Sequence, residues 1–233
     1  MHVRNILIPT AILLAPAALP AAPASATASA SATAVLHANQ ACYLVGERVA
    51  IAGSGFPPSR SFVVAVGGVD FGMGTTDANG DFTASLIPGG LGANIVQAVH
   101  VLSADDGTSL IGTTFTVTRT TGARILASTG TAASLRAPFQ VWGFGLVHDK
   151  PPAYVSGPVR VALYVHYLSP GKRLKTTIPL GRTGGQCGYL RTPLRHVFPF
   201  APSRGSWTLQ VDSSPTYSAH PMGPVARIKV GVS

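Results

Sequence analysis

This chain has few of the side chains on which acid–base catalysis depends. Its 233 residues include a single glutamate, Glu47, and seven aspartates, and only 11% of the residues are charged. A glycosidase-type carboxylate pair would have to come from aspartates, most of which stand in apparent turns. A G-x-S-x-G nucleophile motif is also missing. We therefore predict that the protein is not an enzyme.

A catalytic site assembled from distant strands would escape an analysis of spacing. The non-enzyme prediction therefore carries its own structural criterion. It would lose its basis if one pocket held two or more members of a small set within hydrogen-bond reach of each other. The members of that set are His100, His148, Asp149, His166 and Asp212.

The seven histidines also lack the spacings that bind zinc, and they read as ordinary surface or core residues. Residues 77–81 (DANGD) are similar to part of a calcium loop, but Pro88 stands where a bidentate glutamate is required. Asn79-Gly80 is instead a strong hairpin signal, because both residues tolerate a positive φ. The sequence predicts a hairpin turn here, and it predicts neither a metal nor another cofactor.

Uninterrupted apolar runs are short. Arg4 precedes an apolar stretch from Ile6 to Ala22, but three prolines interrupt it, so it falls short of the roughly 18 apolar residues that a membrane span needs. Residues 24–34 then offer several A-x-A cleavage sites. This order is typical of a secretory signal peptide. We assign residues 1–34 to the signal peptide and its cleavage region, with cleavage between Ala26 and Ala38.

The mature protein is accordingly expected to be soluble and secreted, with no transmembrane segment. Once secreted, it could also associate with the cell wall. A membrane anchor and a lipoprotein are the alternatives. The lipoprotein alternative would use Ala41-Cys42 as its cleavage site. Asn39-Gln40 argues against it, because aliphatic residues are expected before such a site.

The chain has only two cysteines, Cys42 and Cys187, and one falls in each half of the sequence. The common disulfide within one domain is therefore excluded. In an oxidising compartment an exported pair of cysteines usually bonds. We predict a disulfide between them, and two free buried thiols are the alternative.

Acidic residues become scarce towards the C-terminus. Residues 35–119 carry three basic and six acidic side chains, a net −3, whereas residues 137–233 carry eleven basic and two acidic ones, a net +9. We expect the second half to meet an anionic cell-envelope polymer or a lipid surface. Nucleic acid is excluded as a partner, since no binding motif is present and aromatics make up only 7%. There are two alternatives to an external anionic partner. The second half could instead bind the acidic first half, or the protein could be generally basic with no such partner.

What is abundant is repetition. Residues 35–119 and 122–233 look like two copies of one domain. At an offset of 90, Gly53 and Gly55 fall on Gly143 and Gly145. A repeat of this length indicates a duplicated domain. We predict a first domain at 35–119, a short linker that allows hinge motion at 120–123, and a second domain at 124–233.

The second copy carries an insertion, Val147–Pro158 with part of Ser169–Gln186. Loops on a rigid scaffold often carry function, although solvated decoration is the alternative. Five basic residues in or near this region are our candidates for binding an anionic surface. They are Lys172, Arg173, Lys175, Arg191 and Arg195.

Short runs rich in Val, Ile, Phe and Thr, bounded by Gly, Pro, Asn or Asp, predict an all-β fold. In the first half the runs are Arg48–Ala52, Ser61–Val66, Asp81–Leu86, Ile95–Leu102 and Thr113–Thr118. In the second half they are Pro158–Tyr167, Leu174–Ile178, Leu190–Phe198, Ser206–Val211 and Val225–Val232. Apolar residues do not keep a helical spacing over any long window, so long helices are not expected.

The run VAIAGSGFPPSRSFVVAVGG, followed by TTDANGDFTASL, resembles bacterial immunoglobulin-like domains of exported surface proteins. The later segment CGYLRTPLRHVFPFAP is similar to secreted actinobacterial proteins of unassigned role. The resemblance implies two tandem immunoglobulin-like β-sandwiches, and it implies little about activity because the sandwich hosts many functions.

Together these features favour an exported, non-catalytic module for binding, adhesion or attachment to the cell envelope. The alternative is a carrier of a small molecule or carbohydrate, with a cleft in or between the sandwiches. An apolar cleft lined by Trp142, Phe144 and tyrosine residues would favour the carrier, and a flat basic face would favour adhesion.

Overall fold

The computed structural model describes residues 33–126, 131, 134–146 and 160–233. All regular secondary structure in these residues is β-strand. The predicted signal peptide, apart from its last two residues, and the inserted segment at 147–158 lie outside them. Among the described residues there is no helix with the length and hydropathy that crossing a membrane would require. The all-β prediction is confirmed.

The first half contains eight strands in two sheets. A three-stranded sheet has the order β1-β3-β6, and a five-stranded sheet has the order β2-β8-β7-β4-β5. Neighbouring strands are antiparallel, except that β2 runs parallel to β8. The strands are β1 Val35–Ala38, β2 Cys42–Leu44, β3 Val49–Ser54, β4 Ser61–Val66, β5 Val69–Thr75, β6 Phe82–Leu86, β7 Gln97–Asp105 and β8 Leu110–Thr118.

The second half contains nine described strands in three sheets: β14-β11-β9, β13-β12-β16-β17 and the short pair β10-β15. The first two repeat the strand orders β6-β3-β1 and β5-β4-β7-β8 of the first half. The strands are β9 Gly122–Ile125, β10 Arg136–Ala137, β11 Phe139–Trp142, β12 Ala162–Leu168, β13 Leu174–Arg182, β14 Leu190–Arg191, β15 Arg195–His196, β16 Gly205–Asp212 and β17 Ala226–Val232.

Each half has its own hydrophobic core, to which its larger sheets contribute. In the first half, Ile51 and Phe82 from the three-stranded sheet belong to one cluster with Phe62, Leu102 and Phe115 from the five-stranded sheet. The second cluster is built in the same way, with Phe139 and Val141 on one side and Val165, Tyr167 and Leu209 on the other. Because side chains alternate along a strand, every second residue can point into such a core.

The repeat holds for strand order but not for every aligned residue. A positive φ occurs at Gly55 (74°) in the first half and at Gly143 (77°) in the second, although the alignment pairs Gly53 with Gly143. The turns therefore bend at different points, since a positive φ is where glycine is favoured.

Two sequence predictions fail locally. Asn79-Gly80 forms a turn with a positive φ at Gly80, but the strands on either side, β5 and β6, belong to different sheets. The turn therefore connects the two layers and is not a hairpin. The predicted strand Leu190–Phe198 is broken into β14 and β15, and Pro193, which lacks a backbone N–H, stands in the gap.

The predicted linker at 120–123 is held by hydrogen bonds on both sides, and β9 already begins at Gly122. The Arg119 guanidinium donates to three main-chain carbonyls of the first half. The Trp142 indole N–H donates to the Thr120 carbonyl at 2.8 Å, and the Thr121 hydroxyl donates to the Gly143 carbonyl at 2.9 Å. These bonds oppose the hinge motion that the short linker suggested.

Candidate functional site

Besides the main chain, one disulfide bond joins the two halves. Cys42 on β2 forms a disulfide with Cys187, which lies between β13 and β14, and the two Cα atoms are 5.2 Å apart. The predicted disulfide is confirmed, and the alternative of two free thiols is excluded. Cys187 is fully buried. Such a bond is typical of proteins that mature in an oxidising compartment.

Three of the five predicted anion-binding residues lie together at the β12–β13 hairpin. We call Lys172, Arg173 and Lys175 the basic turn. The main-chain N–H of Lys172 donates to the Ser169 carbonyl at 2.7 Å, and the N–H of Ser169 donates to the Arg173 carbonyl at 2.9 Å. Lys172 has a φ of 60°, so these bonds hold a backbone conformation that non-glycine residues rarely adopt. All three basic side chains are exposed.

The other two predicted residues lie on different strands. Arg191 is exposed on β14, opposite Gln140. Arg195 is half-buried on β15, and its guanidinium lies 3.4 Å from the Pro179 carbonyl on β13. Burial raises the pKa of Tyr167 to about 12, and the positive charge of Arg195 partly opposes that rise. Arg195 is therefore partly engaged with the fold, and the basic turn is the part of the set that the structure brings together.

The stretch that contains the basic turn has few acidic side chains. Residues 160–233 contain ten basic side chains and one acidic side chain, that of Asp212. Asp212 is only 2% exposed. The positive charges of this stretch consequently face solvent without an acidic neighbour from the same stretch at the surface.

Asp212 belongs to a buried polar network that sequence spacing did not reveal. His166 on β12 lies opposite Thr177 on β13 and opposite Gln210 on β16. Its Nδ1 is 2.8 Å from the Thr177 hydroxyl, and its Nε2 is 3.1 Å from Oδ1 of Asp212. Strand register brings these residues together, because Asp212 follows Gln210 by two positions and shares its face.

The network is closed by further hydrogen bonds. The Gln210 amide donates to Oδ2 of Asp212 at 2.9 Å, and the Ser214 N–H donates to Oδ1 at 2.9 Å. The Arg227 guanidinium donates to the Gln210 side-chain carbonyl at 3.0 Å. Buried polar groups satisfied in this way stabilise one arrangement of the sheet.

The non-enzyme prediction would lose its basis if one pocket held two members of the set within hydrogen-bond reach of each other. His166 and Asp212 meet the distance requirement but not the pocket requirement. The two side chains are within hydrogen-bond reach, but only Asp212 lines the adjacent cavity of about 370 Å³. His166 is fully buried with both ring nitrogens bonded, so it has no nitrogen free for a substrate. His100 lies elsewhere, stacked on Phe115, and residues 148 and 149 are outside the described part of the chain.

A larger cleft, of about 590 Å³, lies in the first half between β5 and β6. Its floor is formed by Ile51, Phe62, Val64 and Phe82. Asp77 and Asp81 lie at its β5–β6 turn. Hydrogen bonds donated by the main-chain N–H groups of residue 81 and then residue 79 lower the pKa of Asp77, so its carboxylate stays ionised at neutral pH.

The aromatic residues expected to line a carrier cleft have other roles. Phe144 is buried in the second core, and Trp142 is committed to its hydrogen bond with Thr120. Sequence reasoning therefore missed the cleft between β5 and β6, although the alternating glycines of β5, at 72 and 74, are a signal for it. Among the described residues, no group of three or more metal-ligating side chains converges.

No protein-family model matches this chain, and no curated protein does either. Solved structures that are similar to it include the following two. A mutant of Salmonella alpha-2-macroglobulin is 12% identical, with a TM-score of 0.30, over 85% of this chain and 14% of that one. Red sea bream transglutaminase is 12% identical, with a TM-score of 0.29, over 88% of this chain and 32% of that one. This chain therefore spans less than a third of either protein's length.

Proposed function

We propose that this protein is an exported, non-catalytic binding module, built from two tandem immunoglobulin-like β-sandwich domains, that attaches to an anionic cell-envelope polymer or lipid surface. The observation that carries the proposal is the basic turn. It places three cations side by side at an exposed hairpin, while the only acidic side chain of residues 160–233 is buried. The interdomain disulfide supports export, and the repeated strand order supports two related domains.

Neutralising the basic turn in the full chain should weaken binding to vesicles that contain anionic lipid. A basic residue near such a surface contributes about 1 kcal/mol, so the triple variant Lys172→Asn, Arg173→Gln, Lys175→Gln should bind roughly a hundredfold more weakly. Asparagine is chosen at 172 because it tolerates the positive φ. Cosedimentation with vesicles, and separately with isolated wall polymer, measures the effect and distinguishes the two surfaces.

The matched control removes the same charge elsewhere in the second half. Arg160 and Arg182 lie at the other end of the β12–β13 hairpin, and Lys229 lies on β17; all three are exposed. Their triple glutamine variant should bind far better than the basic-turn variant. Equal losses would make net charge, and not the basic turn, the cause. Binding that does not weaken between 0.1 M and 1 M salt would exclude electrostatic attachment, because the Debye length falls from about 10 Å to about 3 Å.

The exported form should begin between residues 27 and 39, as the A-x-A sites predict. Within that window we favour a start no later than Val35, because β1 pairs with β3 and places Leu36 in the first core. N-terminal sequencing of secreted protein measures this directly. Secreted protein that retains Met1 would contradict the signal-peptide assignment.

A further inference from the structure

The cleft between β5 and β6 is bounded by two strands with free edges. β5 is the last strand of the five-stranded sheet, and β6 is the last strand of the three-stranded sheet. In the described structure, each is paired along one side only, β5 with β4 and β6 with β3. An unpaired edge offers a row of N–H and C=O groups that can pair with another strand.

The interior of the cleft is apolar and already part of the first core. Phe62, Val64 and Phe82 line it and are each less than 10% exposed, while Phe71 and Met73 on β5 are 42% and 85% exposed. Apolar surface at an open edge favours a ligand that covers it, because burying such surface is stabilising.

Gly72 leaves room at the edge strand, whereas a Cβ at Gly74 would lie 2.8 Å from the Phe62 ring. Gly72 lies opposite Val64 and Gly74 opposite Phe62, so both positions face the core side of the sheet. A Cβ at Gly72 would have no heavy atom within 4 Å. A side chain from a bound segment can therefore enter between the sheets at the position where β5 supplies none.

Charge distinguishes the ends of the cleft. Asp77 and Asp81, both exposed, stand where the chain turns from β5 to β6. At the far end of β6, the Arg48 guanidinium donates to the Ser85 hydroxyl at 3.0 Å. A ligand whose cationic group lies at the turn is complementary to this arrangement.

We propose that the cleft binds an extended peptide segment, which adds as a strand along β5, inserts alternate apolar side chains between the sheets and places a lysine or arginine at the Asp77–Asp81 end. Strand addition obtains affinity from main-chain hydrogen bonds and specificity from pockets for alternate side chains. The proposal concerns a site distinct from the basic turn, and either can fail without the other.

The experiment uses the full chain and synthetic peptides of alternating valine and threonine, about eight residues long to match a strand, with one lysine at either end. Fluorescence anisotropy should detect binding of one lysine version and much weaker binding of the same peptide with glutamate in place of lysine. Binding of neither lysine version would overturn the proposal. Equal binding of the lysine and glutamate peptides would overturn the charge assignment within it.

Gly72→Val is the variant that should close the cleft. The position has an ordinary φ and open space, so valine fits the strand while filling the entry point. Binding should fall at least tenfold. Gly112→Val is the matched control, because Gly112 lies on β8 of the same sheet, outside the cleft, with its nearest atom at 3.7 Å. Equal losses in the two variants, or no loss in Gly72→Val, would overturn the site.

Two further comparisons keep the proposal testable if Gly72→Val folds poorly. Asp81→Asn should weaken the lysine peptide several-fold, whereas Asp70→Asn, an equal charge change on β5 outside the cleft lining, should not. N-methylation of alternate peptide amides on the side facing β5 should abolish binding, because it removes the main-chain donors. Undiminished binding of the methylated peptide would exclude strand addition.

Discussion

Replacing Asp212 with alanine should lower the free energy of unfolding by about 3–5 kcal/mol, as expected when one partner of a buried polar pair is removed. The variant removes a hydrogen-bond partner from His166 Nε2, the Gln210 amide and the Ser214 N–H, although the Gln210 amide keeps its bond to the Ser218 carbonyl. His166 and Gln210 cannot recover a bond to water without opening the sheet, since each is at most 1% exposed, whereas the half-buried Ser214 N–H can be hydrated. Urea denaturation measures the change from the shift in midpoint at constant slope.

Asp70→Ala is the control for Asp212→Ala. Asp70 is exposed on β5, and substitutions at such surface positions usually change stability by no more than about 0.5 kcal/mol. If Asp212→Ala lowered the free energy of unfolding by less than about 1 kcal/mol, the hydrogen bonds of the network would contribute little to stability.

Removing the disulfide should have an effect of similar size. The Cys42–Cys187 bond spans 145 residues, and on the chain-entropy model a loop of this length contributes up to about 5 kcal/mol. The double variant Cys42→Ala, Cys187→Ala should therefore unfold at a markedly lower denaturant concentration, with a loss of about 3–5 kcal/mol. The double variant is preferred to a single one because it leaves no reactive thiol.

The control for the disulfide is the unmodified protein unfolded in reductant. Once the bond is reduced, its stability should approach that of the double alanine variant, because the unfolded chain gains the same freedom in both. Unchanged stability in the double variant would contradict the chain-entropy account, because the native hydrogen bonds at residues 119–124 do not restrict the unfolded chain.

The fold class was predictable because it depends on short-range pattern. Period-two alternation and dense Gly and Pro punctuation are properties of neighbouring residues, so the strand at Ser61–Val66 was placed with the bounds the structure has. β5 was not predicted, because Gly72 and Gly74 stand where apolar residues would mark a buried face. The run Leu190–Phe198 also predicts one strand, whereas the structure breaks it into β14 and β15 around Pro193.

Part of the candidate site was equally local. Lys172, Arg173 and Lys175 are neighbours in sequence, so a hairpin needs only to expose them together. Arg191 and Arg195 were grouped with them by charge alone. The structure instead bonds Arg195 to the Pro179 carbonyl and leaves Arg191 on another strand, because their positions depend on which strands pair.

The sequence by itself determined that the protein is all-β, that positive charge is concentrated in its second half and that only one disulfide pairing is available, because each of these follows from composition or from near neighbours. The tertiary structure alone decided that His166 meets Asp212 across 46 residues and that β5 and β6 expose their edges to one cleft. Both depend on strand register and sheet order, which long-range packing selects and no single segment encodes.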